Sequence, residues 1–189
     1  MARVQDLPPL LARRFRTGRP CLDLVHTGGE GEHAVWEILH RPADVARYLG
    51  VIADVDGIDV AVGDMAAVRE FRRAVTGAAF GAVVGRPPTA DERAVINLAA
   101  ARPPLVPVLD AGGGVGTAAP VTVSQVLSAL ARDAIDLFGS PLRSRIRVCA
   151  AVDCGMLFVD QSRPGTRRWC SMQRCGTRAK VRAHRQRTD

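Results

Sequence analysis

Aromatic residues are nearly absent from this 189-residue chain, which has two Trp, one Tyr and five Phe. A core must then be built from aliphatic side chains and alanine, which favours packed helices over a β-sandwich. Uninterrupted apolar runs are missing too. Residues 111–131 carry no charge, but Gly112, Gly113, Gly114, Gly116 and Pro120 break the stretch, so it is no membrane span. The first twenty residues hold basic side chains and a short Pro-Pro-Leu-Leu-Ala stretch, without an apolar region of signal length. A cytoplasmic location is expected, where thiols stay reduced and disulfides are the weaker reading of the cysteines. No Gly-x-Ser-x-Gly or His-Glu-x-x-His occurs. The glycine run at 112–116 lacks the Lys-Ser/Thr of a phosphate loop and the dinucleotide fingerprint. Nothing argues for an enzyme, and that run reads as a turn.

What is present is a core-forming composition, 47% apolar and 24% charged. The net charge of +7 is unevenly placed. Residues 141–189 hold 12 of the 26 basic side chains against three acids, Asp153, Asp160 and Asp189. The other 140 residues are slightly acidic. A basic C-terminal quarter points to an anionic partner, with nucleic acid ahead of membrane. The composition changes at Gly139-Ser-Pro141, which divides the chain into 1–140 and 141–189.

Helix signals dominate the first part. Residues 42–49 read as a helix with proline in its first turn and Gly50 beyond its end. Asp64 can cap a longer helix with Val68, Phe71 and Val75 on one face, ending near Gly85. Thr89-Ala-Asp-Glu92 and Thr122-Val-Ser-Gln125 are capping-box patterns. The second opens a helix to Phe138, with Val126, Leu127, Leu130, Ala134 and Leu137 inward and Gly139 as its stop. Residues 105–123 alternate around the glycine turn and suggest a small hairpin. Residues 18–35 resist assignment, although Cys21-Leu-Asp-Leu-Val looks buried.

After the seam come Cys149-x₄-Cys154 and, 15 residues later, Cys170-x₄-Cys175. Zn²⁺ takes four soft donors in a tetrahedron, and two short loops with two thiolates each supply them. A tail of this size buries too little apolar surface to fold alone, whereas structural zinc contributes on the order of 10 kcal/mol. Residues 145–149 and 156–159 can form two strands, and Ser171 can start a helix through Arg187. The second cysteine pair then sits at a helix N-terminus, which favours thiolates. A knuckle, hairpin and helix sharing one metal is a treble-clef arrangement. Four thiolates close the coordination sphere, so the site is structural.

Trp169-Cys-Ser-Met-Gln-Arg-Cys-Gly-Thr-Arg-Ala-Lys180, with Val-Arg-Ala-His-Arg-Gln-Arg187 after it, resembles the CGNR zinc finger of bacterial proteins. Cys149 and Cys154-Gly-Met-Leu-Phe-Val-Asp-Gln-Ser162 are similar to that finger's first half. The signature Cys-Gly-Asn-Arg reads Cys175-Gly176-Thr177-Arg178 here, which removes an amide and leaves the four cysteines untouched. Gly18-Arg-Pro-Cys-Leu-Asp-Leu-Val-His-Thr27 is similar to the opening of the ABATE-type domain that usually precedes the finger. Together the resemblances imply a stress-responsive bacterial transcription regulator.

Arg174, Arg178, Lys180, Arg182, Arg185 and Arg187 lie on or beside the expected C-terminal helix. Arg178, Arg182 and Arg185 share a face by spacing, and Arg174 extends it. Arginine grips phosphate bidentately and reads guanine edges, so DNA is the expected partner. Arg174 and Arg178 are the candidates for base edges, and Arg182 and Arg185 for phosphates. The competing reading is a zinc-stabilised module for protein interaction or dimerisation. RNA is a third, disfavoured by the few aromatics that could stack on bases. The first part is a candidate to bind an unidentified small molecule or to form a homodimer. Cys21 reads as a buried bystander, and His26, His33 and His40 fit no metal or catalytic motif.

Overall fold

In the computed structural model, which describes residues 3–186, proline opens three helices, where its missing N–H leaves no hydrogen bond unmade. These are α1 (Pro9–Ala12), α2 (Pro20–Val25) and α3 (Pro42–Ala53). The sequence expectation ended α3 at Leu49, but the helix continues through Gly50 to Ala53. Asp54 then turns left-handed (φ 55°), and Val55 N–H returns to Gly50 O. A Cβ on Gly50 would lie 2.8 Å from Val55 O, so this glycine admits the returning chain rather than stopping the helix. Residues 18–35, unassigned from sequence, hold α2 and a 3₁₀ stretch, Gly31–Trp36.

After the short β1 (Ile58–Asp59) comes α4 (Asp64–Val83). Gly63 takes the cap position, while Asp64 accepts from Ala61 N–H at 2.7 Å. The helix ends where expected, with Gly85 at φ 79° and Arg86 N–H bonded to Gly81 O. α5 (Ala90–Ala100) opens on its capping box, Glu92 N–H donating to Thr89 and Thr89 N–H to Glu92. The expected hairpin forms as β2 (Pro107–Leu109) and β3 (Val115–Thr117), around Asp110, which accepts from Gly112 and Gly114 N–H. β4 (Val121–Thr122) leaves that hairpin and pairs parallel with β1. The second capping box opens α6 (Val123–Gly139), whose expected inward residues are all buried. α6 runs through the middle of the helical part, packed on α2, α3, α4 and α5.

The tail begins with β5 (Ile146–Val148) and β6 (Leu157–Val159), paired antiparallel with Ile146 opposite Val159 and Val148 opposite Leu157. Side chains alternate across such a ribbon. Ile146, Leu157 and Val159 are buried in the main core, whereas Met156 and Phe158 are buried with Cys149, Cys154 and Cys175 on the other side. Backbone contacts reinforce the attachment. Val159 N–H donates to Thr17 O at 2.9 Å, and His26 Nε2 lies 3.0 Å from Leu157 O. Composition changes at the 140/141 seam, but packing runs straight across it. The last helix among the described residues is α7 (Thr177–Arg185). Among the described residues, no helix is long and apolar enough to cross a membrane.

Candidate metal centre and its basic surround

The hairpin and the turn that follows bring the cysteines together. Cys149 leaves β5 with its N–H on Met156 O, and Cys154 N–H closes a tight loop on Ala151 O. Gly155 follows in the left-handed region, at φ 62°, and turns the chain into β6. Asp160 then organises the basic loop after β6. Its carboxylate accepts from Ser162 N–H and Oγ and from Arg167 N–H, and the Ser162 hydroxyl first among them holds its pKa below the usual range. That loop delivers Cys170 opposite the first pair, its N–H 3.4 Å from Cys149 Sγ.

The helix expected from Ser171 starts later than the pattern implied. Ser171 O accepts from both Cys175 and Gly176 N–H, making a wide turn of π type over Met172–Gly176 before regular α7 begins. Gly176 sits in a tight place, where a Cβ would press on Met172 at 3.1 Å and Trp169 at 3.2 Å. Thr177, which replaces the signature asparagine, donates its hydroxyl to Met172 O across this turn.

All four Sγ atoms lie within 4.8 Å of one another, with Cys154–Cys170 and Cys170–Cys175 at 3.6 Å. A tetrahedral zinc with Zn–S near 2.3 Å needs sulfurs about 3.8 Å apart, so the constellation fits one Zn²⁺ with no position left for substrate. Hydrogen bonding from Cys170 lowers the Cys154 thiol to about 5, and the same bond raises Cys170.

The basic residues do not form one face. Arg178 is committed to the finger, its Nη1 2.7 Å from Asp153 Oδ2 and its Nη2 3.6 Å from Cys175 Sγ. With Arg182, Gln186 and Trp169 it lines a shallow groove of about 170 Å³ beside the first cysteine loop. Lys180, Arg182 and Arg185 are exposed and, among the described residues, form no salt bridge. Arg174 lies elsewhere, on a cleft shared with Arg13, Arg16 and Arg167. Arg187 falls outside the described residues. Sequence reasoning missed Asp153, although its place inside the first Cys-x₄-Cys loop was a signal, and it missed the Arg13-Arg14-Phe-Arg16 stretch.

The remaining candidates have structural explanations. Cys21 is fully buried, and burial pushes its thiol well above the ordinary value. His33 stacks on Phe80 and leans on Trp36, and His40 is exposed. Among the described residues, only the four cysteines converge as a metal-ligating group. In the helical part a cleft of about 470 Å³ includes His33, Glu37, Arg69 and Arg72. There Arg72 is buried and already paired, with Glu37 at 2.5 Å and Thr27 Oγ1 at 3.0 Å.

Two family models match the chain. The CGNR zinc finger matches residues 145–188, and ABATE, described as a putative stress-induced transcription regulator, matches residues 18–141. No match is found among curated proteins.

Proposed function

The chain belongs to the ABATE family, whose description is putative stress-induced transcription regulator, and carries a CGNR zinc finger, and from that premise we propose that it regulates transcription by binding duplex DNA through α7. Cys149, Cys154, Cys170 and Cys175 hold one structural Zn²⁺, which fixes the wide turn at Met172–Gly176 and so the direction of the helix. The observation that carries the reading is the set of Lys180, Arg182 and Arg185, exposed and without a salt bridge among the described residues, on a helix anchored to that turn. Its regular body lacks acidic residues entirely. Arg178 supports the finger through Asp153 and Cys175, leaving phosphate contact to the more distal cations. In this reading the protein is a regulator and not an enzyme.

Fluorescence anisotropy of the zinc-loaded chain with several duplexes, across a salt series, tests the proposal. Arg182→Ala or Arg185→Ala is expected to weaken binding to every duplex and to reduce the salt slope by about one for each phosphate no longer neutralised. If both replacements leave affinity unchanged, DNA binding through α7 is wrong. The protein-interaction reading, to which the exposed Met172 and Val181 lend an apolar contact, then takes its place.

A further inference from the structure

The segment before α2 folds back along the zinc loop and leaves a cleft of about 730 Å³ between them. Arg13 and Arg16 stand on one wall, Arg167 and Arg174 on the other, and among the described residues no acidic side chain lines the space. Leu7, Met156 and Phe158 provide apolar surface beside the cations. Arg167 is fixed in place, with Nε on Trp169 O at 2.8 Å, Nη2 on Cys170 O and its guanidinium over the Phe158 ring. Arg13 donates Nε–H to Leu10 O, while its Nη1 is buried with no hydrogen-bond partner. Arg16 and Arg174 form no ion pair among the described residues.

Four cations around one concavity repel each other, and a low-dielectric wall sharpens that repulsion. A buried donor without a partner adds a further cost. One occupant removes both. A phosphoryl group offers several strong acceptor oxygens to the guanidinium forks, and its charge balances the cleft. The volume lies within the range of small-molecule sites, and the apolar wall suits an organic portion.

We propose that this cleft binds a small phosphorylated organic ligand, with its phosphoryl group on Arg13, Arg16 and Arg174 and its organic part over Leu7 and Met156. The site is separate from the Lys180, Arg182 and Arg185 surface, and it does not depend on the DNA reading. Because Cys170–Arg174 is one of its walls, occupancy bears directly on the turn from which α7 projects. The ligand's effect on the regulator would pass through that turn.

Isothermal titration of the zinc-loaded full chain at low salt, with ADP, pyrophosphate and adenosine as probes, tests the proposal. ADP is expected to bind saturably at one per chain, pyrophosphate to compete with it, and adenosine not to bind. Arg16→Gln, at an exposed position without a hydrogen-bond or ion-pair partner among the described residues, is expected to weaken ADP at least tenfold with zinc content and melting unchanged. Arg13→Gln should do the same, and Arg182→Gln should have no effect. No saturable binding by any probe, or equal ADP affinity in the Arg13 and Arg16 variants, overturns the proposal. Displacement of ADP by duplex DNA, with a smaller DNA salt slope in Arg16→Gln, would overturn it in favour of a backbone groove for DNA.

Discussion

A buried histidine and a half-buried aspartate near the start of the helical part oppose each other. His26 has its Nε2 on Leu157 O and its Nδ1 buried without a partner, so the ring is a neutral donor. Burial lowers its pKa to about 4, against 6.5 in an open chain. The unfolded state therefore binds the extra proton between those values, and the stability from neutral His26 is lost as pH falls through them. Asp23 behaves oppositely. Burial raises it to about 7 from 3.8, despite two hydrogen bonds from Thr17, so its contribution is present in acid and lost as pH rises toward 7. Asp23→Asn keeps an acceptor for Thr17 and removes only the second effect. Its stability relative to the parent is expected to rise between pH 4 and pH 7, by up to about 4 kcal/mol at about 1.4 kcal/mol per pKa unit. Urea midpoints of the two proteins at matched pH check this, because zinc release affects both alike. A constant difference would mean Asp23 is charged throughout.

Among the elements, the β5–β6 ribbon has the most consequence, since it places aliphatic residues on one side and sulfurs on the other. Leu157 points away from the metal centre, yet its neighbours Met156 and Phe158 pack against the cysteines. Leu157→Ala is expected to cost about 2–5 kcal/mol in urea unfolding and to hasten zinc loss to a chromophoric chelator. An unchanged rate of zinc loss would show that the two sides act independently. Much at this scale was legible beforehand. Both capping boxes, the α6 face and the cysteine pairs depend on local spacing, and local spacing is what a sequence displays. The α3 end was not, because Gly50 answers to Val55 O, a contact that exists only after the chain has turned. The β1–β4 pairing joins segments some sixty residues apart and left no pattern. The wide turn before α7 was hidden because Ser171 also looks like an ordinary helix start. The split of the arginines was hidden too, since helical spacing cannot say that Arg178 meets Asp153 or that Arg174 lines a cleft with Arg13.

Across the whole molecule, the division at residue 140 separates two family matches, but the main core reaches past it into the β5–β6 ribbon. The sequence suggests that the first part could fold alone. The structure puts Ile146, Leu157 and Val159 into its interior and gives His26 and Thr17 partners on β6. Each buried aliphatic side chain contributes about 1.5–3 kcal/mol, against a total stability on the order of 5–15 kcal/mol. A chain ending at Gly139 is therefore expected to lose cooperative unfolding. Circular dichroism in urea should show a broad, early transition. A sharp transition with full helicity would restore the picture of two independent units.

The contacts of β6 with Thr17 and His26 also set an order of events during synthesis. A chain emerging from the ribosome exposes the Thr17 carbonyl and the His26 ring long before residues 157–159 are made. The helices can assemble around α6 once Gly139 has appeared, but one side of their interior stays open to water. The same few residues that close it arrive with the first cysteine pair and only just ahead of the second. Closure of the helical interior and capture of the metal thus fall within the same short stretch of translation, and scarcity of zinc would be felt just as that interior closes.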